Sequence, residues 1–185
     1  MDKANLKYIL RLALTLFLIT AVVAGLLGAV NAITEGPIAE LKAQKTRQAL
    51  QSVVAQGVTI GEEITDFEDP SGMVTALYAT SDGYVAQVTV AGFGGDVEMV
   101  VGVSSQGVVT GVSIVSHSET SGLGAVAAAS SQAGQDFRGQ YAGMSGELAV
   151  TKDGGTVESI SGATITSRAV TKGVNAALAC AANLG

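Results

Sequence analysis

The chain is 185 residues long, enough for one modest domain with a buried core and an appended segment. Hydrophobic residues make up 48% and charged residues 14%, which excludes wholesale disorder, and a net charge of −6 with no basic–aromatic run excludes a nucleic-acid surface. A single cysteine, Cys180, and a single histidine, His117, exclude an internal disulfide framework, a cysteine-ligated iron–sulfur cluster, a Cys-rich zinc site and bis-histidine haem, and no metal ligand set is expected.

The charge is divided unevenly. Residues 1–34 carry Lys3, Lys7 and Arg11 against Asp2, a balance of +2, whereas the remainder stands at −8. Residues 12–34 contain no charged side chain and are rich in Leu, Ala and Val, and 23 residues of helix reach about 35 Å, enough to cross a bilayer core. The alternative is a cleaved signal peptide, with Val30-Asn31-Ala32 as its cleavage site. The apolar run is longer than a signal-peptide core, so an uncleaved single-pass anchor in lipid is expected, with the N-terminus in the cytoplasm and the soluble domain on the extracytoplasmic face.

Gly36-Pro37 predicts a break after the span, with Pro37 in the first turn of a second helix, giving a stalk over residues 35–72. The acidic stretch of residues 57–72 reads as a solvated loop, and it lacks the ligand spacing of an EF-hand. From Met73 apolar residues alternate. Strands are expected over 74–80, 84–90, 96–103 and 108–115, joined by short turns and therefore antiparallel. Residues 125–132 read as a small-residue helix, 148–151 and 156–159 as a last hairpin, and 166 or 167 to 184 as a C-terminal helix capped by Ser or Thr. The expected fold is α+β, an antiparallel sheet flanked by helices over residues 73–185, on a single N-terminal transmembrane helix within 1–34.

The stretch from Glu158 to Ser167, with Ser161-Gly162-Ala163-Thr164 at its centre, reads as a strand end, a glycine turn and a hydroxyl-rich helix start. Such an end offers backbone N–H groups and a partial positive charge to a phosphate. Arg168 and Lys172, one turn apart, would add charge. The same residues also describe an ordinary Ser/Thr cap, the commoner outcome. Gly92-Phe93-Gly94 opens no helix, so it is no dinucleotide fingerprint. Ser161 has no His–acid pair signalled for hydrolase chemistry.

Ser161-Gly162-Ala163-Thr164, with an acidic residue three before the serine, resembles the flavinylation motif of FMN-binding subunits of ion-pumping respiratory complexes. Glu158 stands where that family usually has Asp. Residues 116–124, including Glu119-Thr120-Ser121-Gly122-Leu123-Gly124, resemble the family's Glu-Thr-Pro-Gly-Leu-Gly loop, with Ser121 in place of Pro. Gly92-Phe93-Gly94-Gly95 before a strand is a third likeness. The similarity is strongest to the G subunits of Rnf-type electron-transport complexes, and the C subunits of Na+-translocating NADH:quinone reductases are related and longer.

The resemblance implies an FMN-binding domain whose FMN is joined through its phosphate to Thr164 by a dedicated flavin transferase. It implies that Glu119, Thr120, Gly122, Leu123, Gly124, Ser161, Gly162, Ala163, Thr166 and Ser167 surround the cofactor, with no catalytic residue in the chain. The implied role is electron transport as a non-autonomous subunit of a ferredoxin:NAD-type ion translocase in the cell membrane, with the other Rnf subunits as partners. The alternative readings are an exported module that binds a phosphate-bearing ligand reversibly, and the equivalent subunit of a Na+-translocating NADH:quinone reductase.

Overall fold

The structure is a computed structural model, and it describes residues 3–184; the expectations placed on Met1, Asp2 and Gly185 lie outside the described residues. The chain forms two compact units, Met1–Ala43 and Gln44–Gly185.

The first unit is helical. Helix α1, Lys3–Ser52, runs for 50 residues, about 75 Å at 1.5 Å per residue. Its stretch from Tyr8 to Ile33 exposes large apolar side chains in every turn rather than along one stripe, a pattern suited to a lipid surrounding. The hydroxyls of Thr15, Thr20 and Thr34 donate back to the carbonyls of Arg11, Leu16 and Val30 at 2.8, 3.0 and 2.9 Å, which hides their polarity where no water is at hand. The expected break at Gly36-Pro37 does not occur: α1 continues through Pro37. Proline removes one N–H and crowds the carbonyl four residues back, which can be absorbed within a long helix without ending it.

The second unit is built on a five-stranded antiparallel sheet in sequential order: β1 Ile60–Ile64, β2 Val74–Thr80, β3 Gly83–Ala91, β4 Asp96–Ser104 and β5 Val109–His117. The four strands expected from alternation are present. β1 was hidden by its charges. Glu62 and Glu63 lie exposed on an edge strand, where carboxylates discourage pairing with another sheet.

Alternation sends side chains to two cores. On one face Ala86, Val88, Val90, Val97, Met99, Val101 and Val103 pack with Val170, Val174 and Ala177 of helix α3, Thr164–Ala182. On the other, Val85, Val100 and Val115 pack with Ala49, Leu50 and Val53 at the end of α1. Gly102 and Gly111 face each other across β4 and β5. A Cβ on Gly102 would come within 2.3 Å of the Val53 carbonyl oxygen, the same oxygen that accepts from the Thr110 hydroxyl at 2.6 Å. The bare backbone is what lets the chain leaving α1 lie on the sheet.

Three expectations are corrected between the sheet and α3. Residues 125–132 form no continuous helix: a 3-10 turn, Gly124–Ala128, is followed by helix α2, Gln132–Gly139. Arg138 of α2 donates to the carbonyls of Ala127 and Ala129 at 2.5 and 3.0 Å, taking acceptors that helix propagation would need. The last hairpin is absent. Thr151–Asp153 is a 3-10 turn, and Val150 and Val157 make one isolated parallel bridge. Helix α3 begins at Thr164, earlier than expected, and Ala163 at its cap position offers no side-chain bond. Ser167, inside the helix, instead ties the incoming chain to the first turn without capping it. Its hydroxyl donates to the Ala163 carbonyl and accepts from the Ile160 N–H, both at 3.0 Å.

Gly102→Ala forces a methyl against the Val53 backbone. It is expected to cost about 1–3 kcal/mol, read as a lowered unfolding midpoint of the detergent-solubilised chain, while an exposed control such as Gly139→Ala stays within about 0.5 kcal/mol of wild type.

Candidate functional site

The three stretches singled out in the sequence meet at one carboxylate. Glu119 is 8% exposed. Its Oε1 accepts from the N–H groups of Phe93 and Gly94 at 2.7 and 3.2 Å, and its Oε2 accepts from the Thr166 hydroxyl at 2.6 Å. The loop after β3, the loop after β5 and the first turn of α3 are thereby pinned together. A Cβ on Gly92 would sit 2.1 Å from Oε1, and one on Gly124 would sit 2.3 Å from Oε2 and 2.5 Å from the Thr166 hydroxyl. These two glycines make room for the carboxylate.

Burial pushes the Glu119 carboxyl up. The hydrogen bonds from Thr166, Gly94 and Phe93, with the nearby His117, outweigh burial and hold it below its ordinary value. The Glu119 N–H donates to His117 Nδ1 at 3.2 Å, so that nitrogen serves as an acceptor within the loop. His117 itself lines a different, larger hollow of about 600 Å³ between residues 45–52 and β5, which holds neither the Ser-Gly-Ala-Thr segment nor Glu119.

Beside Glu119 lies a cavity of about 300 Å³, lined by Phe93, Glu119, Thr120, Leu123, Gly124 and the segment Gly162, Ala163, Thr164, Ile165 and Thr166. Phe93, Leu123 and Ile165 are 67%, 44% and 51% exposed. Among the described residues outside α1 they are the exposed large hydrophobic side chains. Three such side chains around one cavity mark a surface that something apolar covers. At the far end the first turn of α3 presents the N–H groups that no helical carbonyl can satisfy. The Thr164 hydroxyl, half-buried, accepts from Lys152 Nζ at 2.9 Å. An apolar platform ending in N–H donors and an ammonium fits a flat ring system that carries a phosphate.

The expected site residues separate into groups. Glu119, Thr120, Leu123, Gly124, Gly162, Ala163, Thr164 and Thr166 line the cavity. Gly122 and Ser161 line a neighbouring hollow with Glu158 and Gln140. Thr166 and Ser167 are 1% and 0% exposed, with their hydroxyls committed to Glu119 and to the helix start. Of the two cations expected near the phosphate end, Arg168 is turned to Asp153, which accepts from it at 2.6 and 2.5 Å; the hydrogen bond from Arg168 holds the Asp153 carboxyl below its ordinary value. The cation that reaches Thr164 is Lys152, from the turn read as a hairpin. Phe93 and Ile165 line the cavity as well, and their signal in the sequence is a large apolar side chain set directly among the glycines and hydroxyls of the motifs.

The protein is a sheet-and-helix domain bearing the Glu119 cavity, on a chain that also carries a helix long and apolar enough to cross a membrane. The FMN-binding domain family matches residues 92–179, and the RnfG N-terminal region matches residues 1–53. The chain belongs to the family of G subunits of Rnf-type complexes. It is 34% identical to the G subunit of the Na+-translocating ferredoxin:NAD+ oxidoreductase complex of Acetobacterium woodii, over 96% of this chain and 94% of that one. It is 31% identical to the G subunit of an ion-translocating oxidoreductase complex of Methanosarcina acetivorans, over 93% and 94%. It is 33% identical to the like-named subunit of Pseudomonas aeruginosa, over 96% and 91%.

The pH dependence of stability tests the role of Glu119. Its folded pKa lies below its ordinary value of 4.5, so its contribution is complete above that value and is lost as pH falls through the folded pKa. Glu119→Gln is expected to destabilise the chain by about 1.5–3 kcal/mol at pH 7. The gap to wild type should narrow as pH falls below the ordinary carboxylate range and through the lowered folded pKa, as measured by urea unfolding at several pH values.

Proposed function

We propose that the chain is the electron-carrying subunit of a membrane-bound, ion-translocating ferredoxin:NAD+ oxidoreductase complex, and that its FMN is joined by a phosphoester to Thr164. The observation that carries this reading is the convergence of the three motif stretches on one cavity, at whose phosphate-binding end the accessible hydroxyl belongs to Thr164. Thr166 and Ser167, the neighbouring hydroxyls on the helix, are buried and hydrogen-bonded.

When bound, FMN supplies one- and two-electron exchange. The residues would divide its binding between them. Phe93, Leu123 and Ile165 would hold the ring and shield it from water on the protein side. Glu119 fixes the loops that carry Phe93 and Leu123. Lys152 and the first turn of α3 would face the phosphate. Gly162, with φ of +74°, keeps the turn before Thr164 tight, in a conformation that side chains with a Cβ avoid.

The chain acts as a relay on this reading, with donor and acceptor on other subunits of the complex and with no independent catalysis. Residues 1–34 anchor it in lipid, and the flavin-carrying part within 73–185 lies outside the cytoplasm, where a reversibly held flavin would be lost by diffusion. Maturation requires a flavin transferase.

Co-expression with a flavin transferase should give wild-type protein one FMN by intact mass, and a band that stays fluorescent after denaturing electrophoresis. Thr164→Ala should lose both signals. Retention of the adduct in Thr164→Ala would move the attachment site, and fluorescence lost on denaturation of wild type would favour the reversible phosphate-ligand module. Orientation is a separate matter. A C-terminal reporter that is active only after export should be active on the full chain, and a mature N-terminus near Ile33 would replace the anchor by a cleaved signal.

A further inference from the structure

We infer that Lys152 is the positioning residue that prepares the Thr164 hydroxyl for transfer of FMN, an inference that rests on the attachment reading above. Two adjacent residues of the 3-10 turn Thr151–Asp153 grip two residues one turn apart on α3. Asp153 takes the Arg168 guanidinium through both oxygens, at 2.6 and 2.5 Å. Lys152 Nζ donates to Thr164 Oγ1 at 2.9 Å. The turn is rigid on its own account: Asp153 N–H bonds the Val150 carbonyl at 2.8 Å, and Thr151 N–H bonds the Val157 carbonyl at 2.9 Å. The Asp153–Arg168 pair neutralises itself and fixes where the turn lies against the helix. Lys152 is left as the net positive charge at the reactive oxygen.

The chemistry of ester formation gives that charge a task. Free FMN does not condense readily with an alcohol in water, so the donor is an activated FMN ester, a flavin dinucleotide. Thr164 Oγ attacks the flavin-side phosphorus. A new P–O bond forms to Oγ, the P–O bond to the departing nucleoside monophosphate breaks, and the hydroxyl proton passes to a base of the transferase. No oxidation or reduction occurs. An ammonium has donors and no acceptor, so Lys152 cannot take the threonine proton. It leaves that proton pointing away from itself and stabilises negative charge as it develops on Oγ and the phosphoryl oxygens. Afterwards it faces the anionic phosphodiester. Lys152 is not itself part of the cavity lining; its claim on the site is the bond to Thr164, which does line it.

The test is a time course of covalent labelling of the full chain in detergent, purified without flavin and incubated with transferase and flavin dinucleotide. Labelling is read by in-gel fluorescence, and its end point by intact mass. Lys152→Gln should label about tenfold more slowly than wild type. Lys152→Arg should recover most of the rate, because it restores the charge at the same reach. Both variants should keep the wild-type unfolding midpoint, since the Lys152 side chain is exposed. Thr164→Ala supplies the zero. Wild-type rates in Lys152→Gln overturn the assignment while leaving attachment at Thr164 intact. So does an equal loss in the Gln and Arg variants, accompanied by a lowered unfolding midpoint, which would make the lysine merely structural. Absence of label on wild type overturns the attachment reading, and this inference with it.

Discussion

One buried carboxylate organises the site. Glu119 is the buried charged side chain among the described residues, and an unpaired charge there would be strongly unfavourable. It is offset by three donors from two segments, 25 and more residues away in sequence. Because those donors belong to the loop after β3 and to the first turn of α3, satisfying the charge and assembling the cavity are the same event. The glycines follow from it. Positions 92 and 124 have no side chain because the carboxylate already occupies that volume. The motif Glu-Thr-x-Gly-Leu-Gly is therefore at least as much a packing rule as a list of groups that touch a ligand. The leucine between its glycines supplies the apolar contact at the cavity.

Several features were legible in the sequence because they are local. Period-two alternation and two- to four-residue turns give β2 to β5 nearly residue for residue. The candidate cavity was legible to the extent that residues of the quoted motifs meet there: Glu119 and Thr164 line it together although 45 positions separate them. What was not legible depends on tertiary contacts. Glycine and proline at 36 and 37 carry the statistics of a helix boundary, yet α1 passes through them. Glu62 and Glu63 look like a loop because an edge strand can tolerate charge. Lys152 is not legible because Asp153-Gly154-Gly155 imitates a hairpin turn, and the tertiary contacts of Asp153 with Arg168 and of Lys152 with Thr164 are what reveal the helix that turn is docked against. A carboxylate matched in reach to an arginine on the helix was the available signal.

The start of α3 presents a selection problem that local sequence does not solve. Ser159, Ser161, Thr164, Thr166 and Ser167 all carry hydroxyls within nine residues. Folding sorts them by burial and partner. Ser167 is used to start the helix and Thr166 to hold Glu119. Ser161 lies on a neighbouring hollow. Thr164 is left accessible, lining the cavity and bonded to an ammonium. On the proposed reading, specificity of modification needs no unusual reactivity in the threonine itself. It needs the competing hydroxyls of the helix start to be occupied or facing elsewhere: packing around Glu119 and Ala163 occupies Thr166 and Ser167, and Ser159 and Ser161 line the neighbouring hollow instead.

On the proposed reading, the shape of the cavity bears on why a covalent bond would be useful there. A volume of about 300 Å³ with a rim as exposed as Phe93 and Ile165 cannot enclose a ligand, and ligands held tightly and reversibly are usually enclosed over most of their surface. Greater enclosure would strengthen binding but would wall the ring off from a redox partner on another subunit. On the proposed reading, a bond to Thr164 would separate the two requirements. Occupancy would no longer depend on a dissociation constant, because a tethered group meets its site at the high effective concentration of an intramolecular partner. The ring could then lie against a shallow apolar platform with its outer side available. The exposed rim and the accessible threonine would thus be parts of one solution, in which the chain gives up enclosure to allow electron exchange and a covalent bond keeps the carrier in place.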